Sequence, residues 1–223
     1  MHTGPALSIP RSLFLLSIFY GGMTCIAGVL GNKQVAIGPF AVEAGIFAFL
    51  LLVVVSSAVA ELFGRHVANR LVVYGFVPLV VSLFLTLLIL ALPTSPEMEP
   101  ARQDAFALMM SSTPRIWMGG IVAYGVSQML NVTIFSSLKG REGARYLWLR
   151  AAIASVLSQI VDTFLFVFIS FYGVFPVGEL LVGQMITKVI LSAVLVPPLI
   201  HVVVAAARSI DKGDGIAPEI AAR

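Results

Sequence analysis

Asp162 is the residue with the most chemistry to offer. It stands between Val161 and the apolar run Phe164 to Phe168, too far from either end of its hydrophobic stretch to reach water by extending. A charge held at mid-membrane costs on the order of 2.5–3.5 kcal/mol even on insertion scales, so such a residue reads first as functional. It is not isolated. Ser155, Gln159 and Asp162 recur at i, i+4 and i+7, flanked by Ser158 and Thr163, and that spacing stacks side chains on one helix face. Tyr124, Gln128 and Asn131 repeat the pattern, Tyr20, Thr24, Gly28 and Asn32 form a stripe ending at Lys33, and Ser57–Glu61 and Gln184–Lys188 are i, i+4 pairs. Lys188 is the natural charge partner of Asp162 if their helices touch. Ser155, Thr24 and Ser57 also read as ordinary interhelical hydrogen-bonders, Glu61 as an interfacial carboxylate beside Gly64 and Arg65, and Lys188 as a cation that snorkels.

The elements that must position these residues are spanning helices. Of the 223 residues, 59% are hydrophobic and 11% charged, against roughly 25% charged in a soluble domain, and mean hydropathy is +1.00. That composition excludes a soluble globular domain, a disordered chain and a disulfide scaffold. Six stretches have the roughly 20 apolar residues a span requires: Leu13 to Leu30, within Phe40 to Phe63, Leu71 to Leu92, Ile116 to Leu138, Leu147 to Val174, and Leu180 to Ala207. The expected fold is an all-α, polytopic bundle of six transmembrane helices: one membrane domain over 1–210 and a short polar tail over 211–223. The first span reads as retained rather than cleaved, with only Arg11 ahead of it and no A-x-A site before a polar chain. Between the third and fourth spans, Ala101 to Met110 reads either as a short amphipathic surface helix or as a solvated loop.

Orientation follows from the basic residues. Arg65 and Arg70, then Lys139, Arg141, Arg145 and Arg150, then Arg208, Lys212 and Arg223 fall on one side, while Lys33, Arg102 and Arg115 fall on the other, with Glu97, Glu99 and Asp104. Both termini are expected in the cytoplasm. The net charge of +3 is therefore topology information rather than a phosphate-binding face, and no nucleic-acid partner is expected. Cys25 alone makes no disulfide or Cys cluster, and His66 and His201 have no metal-ligand spacing. No protease constellation and no nucleotide-binding motif is found, so neither an enzyme nor ATP hydrolysis by this chain is expected, and no cofactor. Polar seams turned inward instead make a cavity near the bilayer midplane, where carriers hold their substrates.

Read in order, the seams also carry a family pattern: Asn32-Lys33, Ala44-Gly45 with Phe47 and Phe49, Glu61-Leu62-Phe63-Gly64, Tyr124 with Gln128 and Phe135, Ser158-Gln159 with Asp162-Thr163-Phe164, and Lys188 ahead of Pro197. From Leu13 to Ile200 the chain resembles the queuosine precursor transporter family of bacterial inner-membrane proteins, the Ser-Gln-x-x-Asp-Thr element being its most specific part. The resemblance implies six spans and uptake of 7-deazaguanines, 7-cyano-7-deazaguanine or its 7-aminomethyl relative, for salvage into tRNA queuosine. Two positions depart from many relatives: Ser57 replaces an acid four residues before Glu61, and Asn131 replaces an Asp. For such a base, Asp162 or Glu61 is expected to accept from the donor edge, and Gln159, Gln128 or Asn131 to meet the carbonyl and ring nitrogens. Phe164, Phe166 and Tyr124 can supply a stacking face, and Lys188 and Asn32 complete the expected site. The partners are then a small deazapurine base and the lipid bilayer, with a homo-oligomer compatible. Proton coupling and facilitated diffusion both remain compatible. The competing readings are a carrier for another nucleobase or vitamin-like molecule, a substrate-binding subunit of a larger importer, or a structural membrane protein.

Overall fold

The computed structural model describes residues 9–38, 40–111, 114–139, 146–173 and 177–212. In chain order the elements are α1 (Arg11–Leu30), β1 (Gln34–Ile37), β2 (Phe40–Glu43), α2 (Gly45–Phe63), α3 (Arg65–Ala91), α4 (Pro100–Met110), α5 (Pro114–Ser137), α6 (Leu147–Phe171) and α7 (Val177–Lys212). All the helices but α4 are long and apolar enough to cross a membrane, which makes six candidate spans among the described residues.

Polarity is inverted relative to a soluble bundle. On α1 the buried residues are Ser12, Tyr20 and Thr24, while Phe14, Leu15, Ile18 and Phe19 are exposed. Lipid satisfies apolar surface but offers no hydrogen bonds, so the polar side chains turn toward protein. Helix α2 is the exception that defines the axis. Apart from Ser56, Ser57 and Glu61 it is apolar all round, as a helix surrounded by others should be, and 72% of its most apolar stretch is buried, against 11% for α1 and for α3. It touches α1, α3, α5, α6 and α7.

Two boundaries differ from the sequence expectation. Arg65 and Arg70 are not in a loop, because α3 begins two turns earlier than its apolar run and only Gly64 separates it from α2. Gly64 has φ +85°, a left-handed conformation that glycine adopts without steric cost, and this reverses the chain in one residue. Secondly, the fold is not purely helical: β1 and β2 form an antiparallel hairpin with Gln34 opposite Glu43 and Val35 opposite Val42. The Ala44 N–H donates to the Lys33 carbonyl at 2.7 Å, prolonging the ladder into α2. Gly45 follows at a close approach, where a Cβ would stand 2.7 Å from the Ala27 carbonyl oxygen. The stretch Ala101 to Met110 forms α4, with Pro100 at its first turn.

Because successive spans reverse direction, the bundle has two distinct ends. One carries the hairpin, α4 and the start of α5. The other carries the start of α1, Gly64, Lys139 and the last turns of α7, where the Asp211 carboxylate accepts from the Ser12 backbone N–H at 3.0 Å and its hydroxyl at 2.6 Å. Helix α7 runs unbroken through Pro197 and Pro198, and at ~1.5 Å per residue its 36 residues span about 54 Å, well beyond a bilayer core. Arg141, Arg145 and residues 213–223 of the tail, with Arg223, lie outside the described residues.

Candidate functional site

The centre of the site is a charge pair between adjacent helices. Asp162 of α6 and Lys188 of α7 are 6% and 7% exposed, and the Lys188 ammonium lies 3.5 Å from Oδ2 of Asp162. The Ser127 hydroxyl of α5 donates to Oδ1 at 3.1 Å, and Lys188 Nζ is 5.7 Å from the centre of the Phe166 ring. A buried acid or ammonium is tolerated only with a partner of opposite charge and further hydrogen bonds. Here the pair is long enough to leave both groups with capacity for a third.

Asp162, Lys188 and Phe166 line a cavity of about 400 Å³ at the hairpin end, walled by α1, α2, α3, α5, α6 and α7, with Met109 and Met110 of α4 also lining it. Small-molecule sites occupy roughly 300–1,000 Å³ and join apolar walls to a few convergent polar groups. The polar groups include Asp162, Lys188, Gln159, Tyr124, Thr24 and, from the hairpin, Glu43. Gln159 stands one helical turn before Asp162. It is fully buried, and neither its Nε2 nor its Oε1 has a hydrogen-bond partner among the described residues. A buried amide left unpaired costs roughly 1–3 kcal/mol, so a side chain so placed at a cavity wall points to a ligand that pairs with it. Tyr124 is oriented by donating its hydroxyl to that of Tyr20 at 2.8 Å, and by Phe76, whose ring meets it edge-on at 5.0 Å.

Glu43 is a site residue that sequence reasoning misses. It precedes the second apolar run and so belongs to no polar seam within a span; the hairpin folds it back to the cavity wall. Burial pushes its carboxyl up from the ordinary range. Lys188 pulls it down, Asp162 pushes it up, and a hydrogen bond with Gln184 pulls it down. Trp117, also missed, lines the same wall from the first turns of α5.

The expected site residues separate into three places. Asp162, Gln159, Tyr124, Lys188 and Asn32 reach the cavity, Asn32 at its rim, where its amide donates to the Gly28 and Val29 carbonyls. Gln128 and Asn131 do not. They are buried between α5 and α2, where Ser56 donates to Gln128 at 3.2 Å and the Asn131 amide donates to Ser57 at 3.0 Å and Ser56 at 3.2 Å. Glu61 is at the opposite end, 3.0 Å from Arg150 and 3.7 Å from Lys139. The Arg150 N–H is not aimed at that oxygen, so the contact is ionic rather than a hydrogen bond. Of the expected stacking residues, Phe166 and Tyr124 line the cavity, whereas Phe164 is 50% exposed and stacks on Phe168.

Six spans, inward polar seams and a partly polar cavity between helices define a membrane carrier. Comparison with known proteins gives the same class: residues 43–202 match the family described as "Putative vitamin uptake transporter", and the chain belongs to that family. It is similar to the "Probable queuosine precursor transporter" of Bacillus subtilis (strain 168), 26% identical over 162 residues covering 72% of this chain and 70% of that protein. It is also similar to the "Queuosine precursor transporter" of Escherichia coli (strain K12), 25% identical over 162 residues, 73% and 70% of the two chains. No solved structure matches significantly. The chain is a multi-pass membrane transporter, not an enzyme, and the family expected from its motifs is the one found.

Proposed function

We propose that this transporter imports a queuosine precursor, 7-cyano-7-deazaguanine or 7-aminomethyl-7-deazaguanine, across the bacterial inner membrane, and that the cavity is its substrate site. The observation that carries the reading is the Gln159 amide, unpaired at both atoms, one turn from a paired but unsaturated Asp162. A deazaguanine presents a donor edge at N1 and the exocyclic amine beside a carbonyl. Asp162 accepts from that edge, and charge-assisted bonds of this kind are roughly twice as strong as neutral ones. Gln159 donates to the carbonyl, while Phe166 and Tyr124 flank the ring. The names of the two relatives support this substrate class.

The basic residues at the opposite end, Arg65, Lys139, Arg150, Arg208 and Lys212, support a cytoplasmic side for that end and both termini. The cavity then faces outward. Beyond it, α2 is buried without interruption from Leu52 to Glu61.

The test uses a host unable to make deazaguanines. Cells expressing the transporter, supplied with a deazaguanine at nanomolar concentration, should recover queuosine in tRNA. Asp162→Ala should lower uptake at least about 30-fold, since truncating one member of a buried hydrogen-bonded charge pair costs roughly 2–5 kcal/mol. No rescue by well-expressed wild-type protein would overturn the substrate, and full rescue by Asp162→Ala would overturn the role of Asp162.

A further inference from the structure

The charges in the cavity do not cancel. Among the described residues that line it, Glu43 and Asp162 are the acids and Lys188 the base. Lys188 lies 3.5 Å from Asp162. Glu43 reaches the same wall from a different element, near the Gln184 side chain, whose Oε1 has no partner among the described residues. Two acids alone would not make a site. The independent sign of a ligand is Gln159, fully buried and unpaired at the same cavity.

An occupant that brings one positive charge would complete this arrangement. The ring of a deazaguanine is neutral, so the charge must come from its substituent. A nitrile carries none. A primary amine, with a pKa near the ~8–10 of amino groups in proteins, is an ammonium at neutral pH. We propose that Glu43 is a specificity-determining residue that makes the transporter prefer a base bearing a primary ammonium over its neutral nitrile counterpart, by accepting hydrogen bonds from that ammonium. This rests on the deazaguanine reading above. The hairpin fixes the carboxylate in place. Val42, the neighbour of Glu43 on β2, is buried in the core, and β1 pairs Glu43 with Gln34, so the acid is held rather than presented on a loose loop.

The experiment measures uptake of 7-aminomethyl- and 7-cyano-7-deazaguanine by wild type, Glu43→Gln and Glu43→Asp. Wild type should favour the amine by about tenfold or more, the size expected of one desolvated charge-assisted bond. Glu43→Gln should lower the amine-to-nitrile ratio at least about tenfold, chiefly through the KM for the amine, and Glu43→Asp should retain part of the preference. Where Glu43→Gln does not reach the membrane, competition on wild type by the N-acetylated amine, which lacks the charge, should be at least about tenfold weaker than by the free amine. Uptake of both bases with a ratio that Glu43→Gln leaves unaltered, or acetylation without effect, overturns the role of Glu43 and leaves the substrate reading intact. Uptake of neither base by wild type overturns both.

Discussion

The two ends of the bundle each bury a carboxylate against a lysine, and they do opposite things with it. At the end of Gly64, one acid meets two cations: Glu61 has Arg150 at 3.0 Å and Lys139 at 3.7 Å. Arg150 also donates to the Phe135 carbonyl and lies 4.3 Å over the Phe135 ring. At the hairpin end, two acids and one cation line the same cavity, the cation 3.5 Å from Asp162, beside an amide with no partner among the described residues. The first cluster carries one cation in excess, Lys139, whose side chain is 43% exposed, and none of its residues lines the cavity; the second carries one acid in excess and opens on that cavity. A buried charge in a membrane protein is therefore not by itself evidence of transport chemistry. What distinguishes the second is where atoms without a hydrogen bond among the described residues lie: the Gln159 amide stands at the wall of a cavity, whereas Glu61 Oε2 and Arg150 Nη1 do not.

That contrast can be broken from either side. The largest effect is expected at the Glu61 cluster. Arg150→Leu leaves Glu61 only the longer contact with Lys139 at 3.7 Å, and breaking a buried pair on one side costs roughly 3–5 kcal/mol. Thermal unfolding in detergent should show a large loss of stability, while the surviving protein keeps its substrate KM. Replacing both partners, Glu61→Leu with Arg150→Met, should restore much of that stability. A smaller and opposite signature is expected at the cavity. Gln159→Leu removes an amide that has no partner among the described residues, so thermal stability should stay level or rise, while the KM rises about tenfold, as for one lost hydrogen bond of ~1.4 kcal/mol. If Gln159→Leu destabilises the fold and leaves the KM alone, Gln159 belongs with the structural residues and the contrast fails.

The sequence made the spans legible because length and hydropathy are what a bilayer demands, and because Asp162 and Lys188 each lie deep within an apolar run with no other charge in reach. Periodicity, however, reports a face and not a depth. Tyr124, Gln128 and Asn131 do share a face of α5, but Asn131 is about 10 Å further along at ~1.5 Å per residue, past the cavity and against Ser56 and Ser57 of α2. Arg150 reads as a loop charge because it sits at the edge of an apolar run; in three dimensions Phe135 and Glu61 enclose it. The hairpin was illegible for a different reason. Four-residue strands carry too few residues to show alternation, and an acid just outside a span gives no sign that the chain turns back toward the bundle. Glu43 and its place in the cavity depend on that turn.

Cys25 offers the most direct test of the central claim, that the cavity at the hairpin end is where substrate binds. It is the chain's single cysteine, it lines that cavity from α1, and it is half-buried. The rate at which a small thiol reagent modifies Cys25 in purified, unaltered protein should fall as deazaguanine is added, with a midpoint near the KM for uptake, and Asp162→Ala should abolish the protection. Modification at an undiminished rate when uptake is saturated would place the substrate elsewhere.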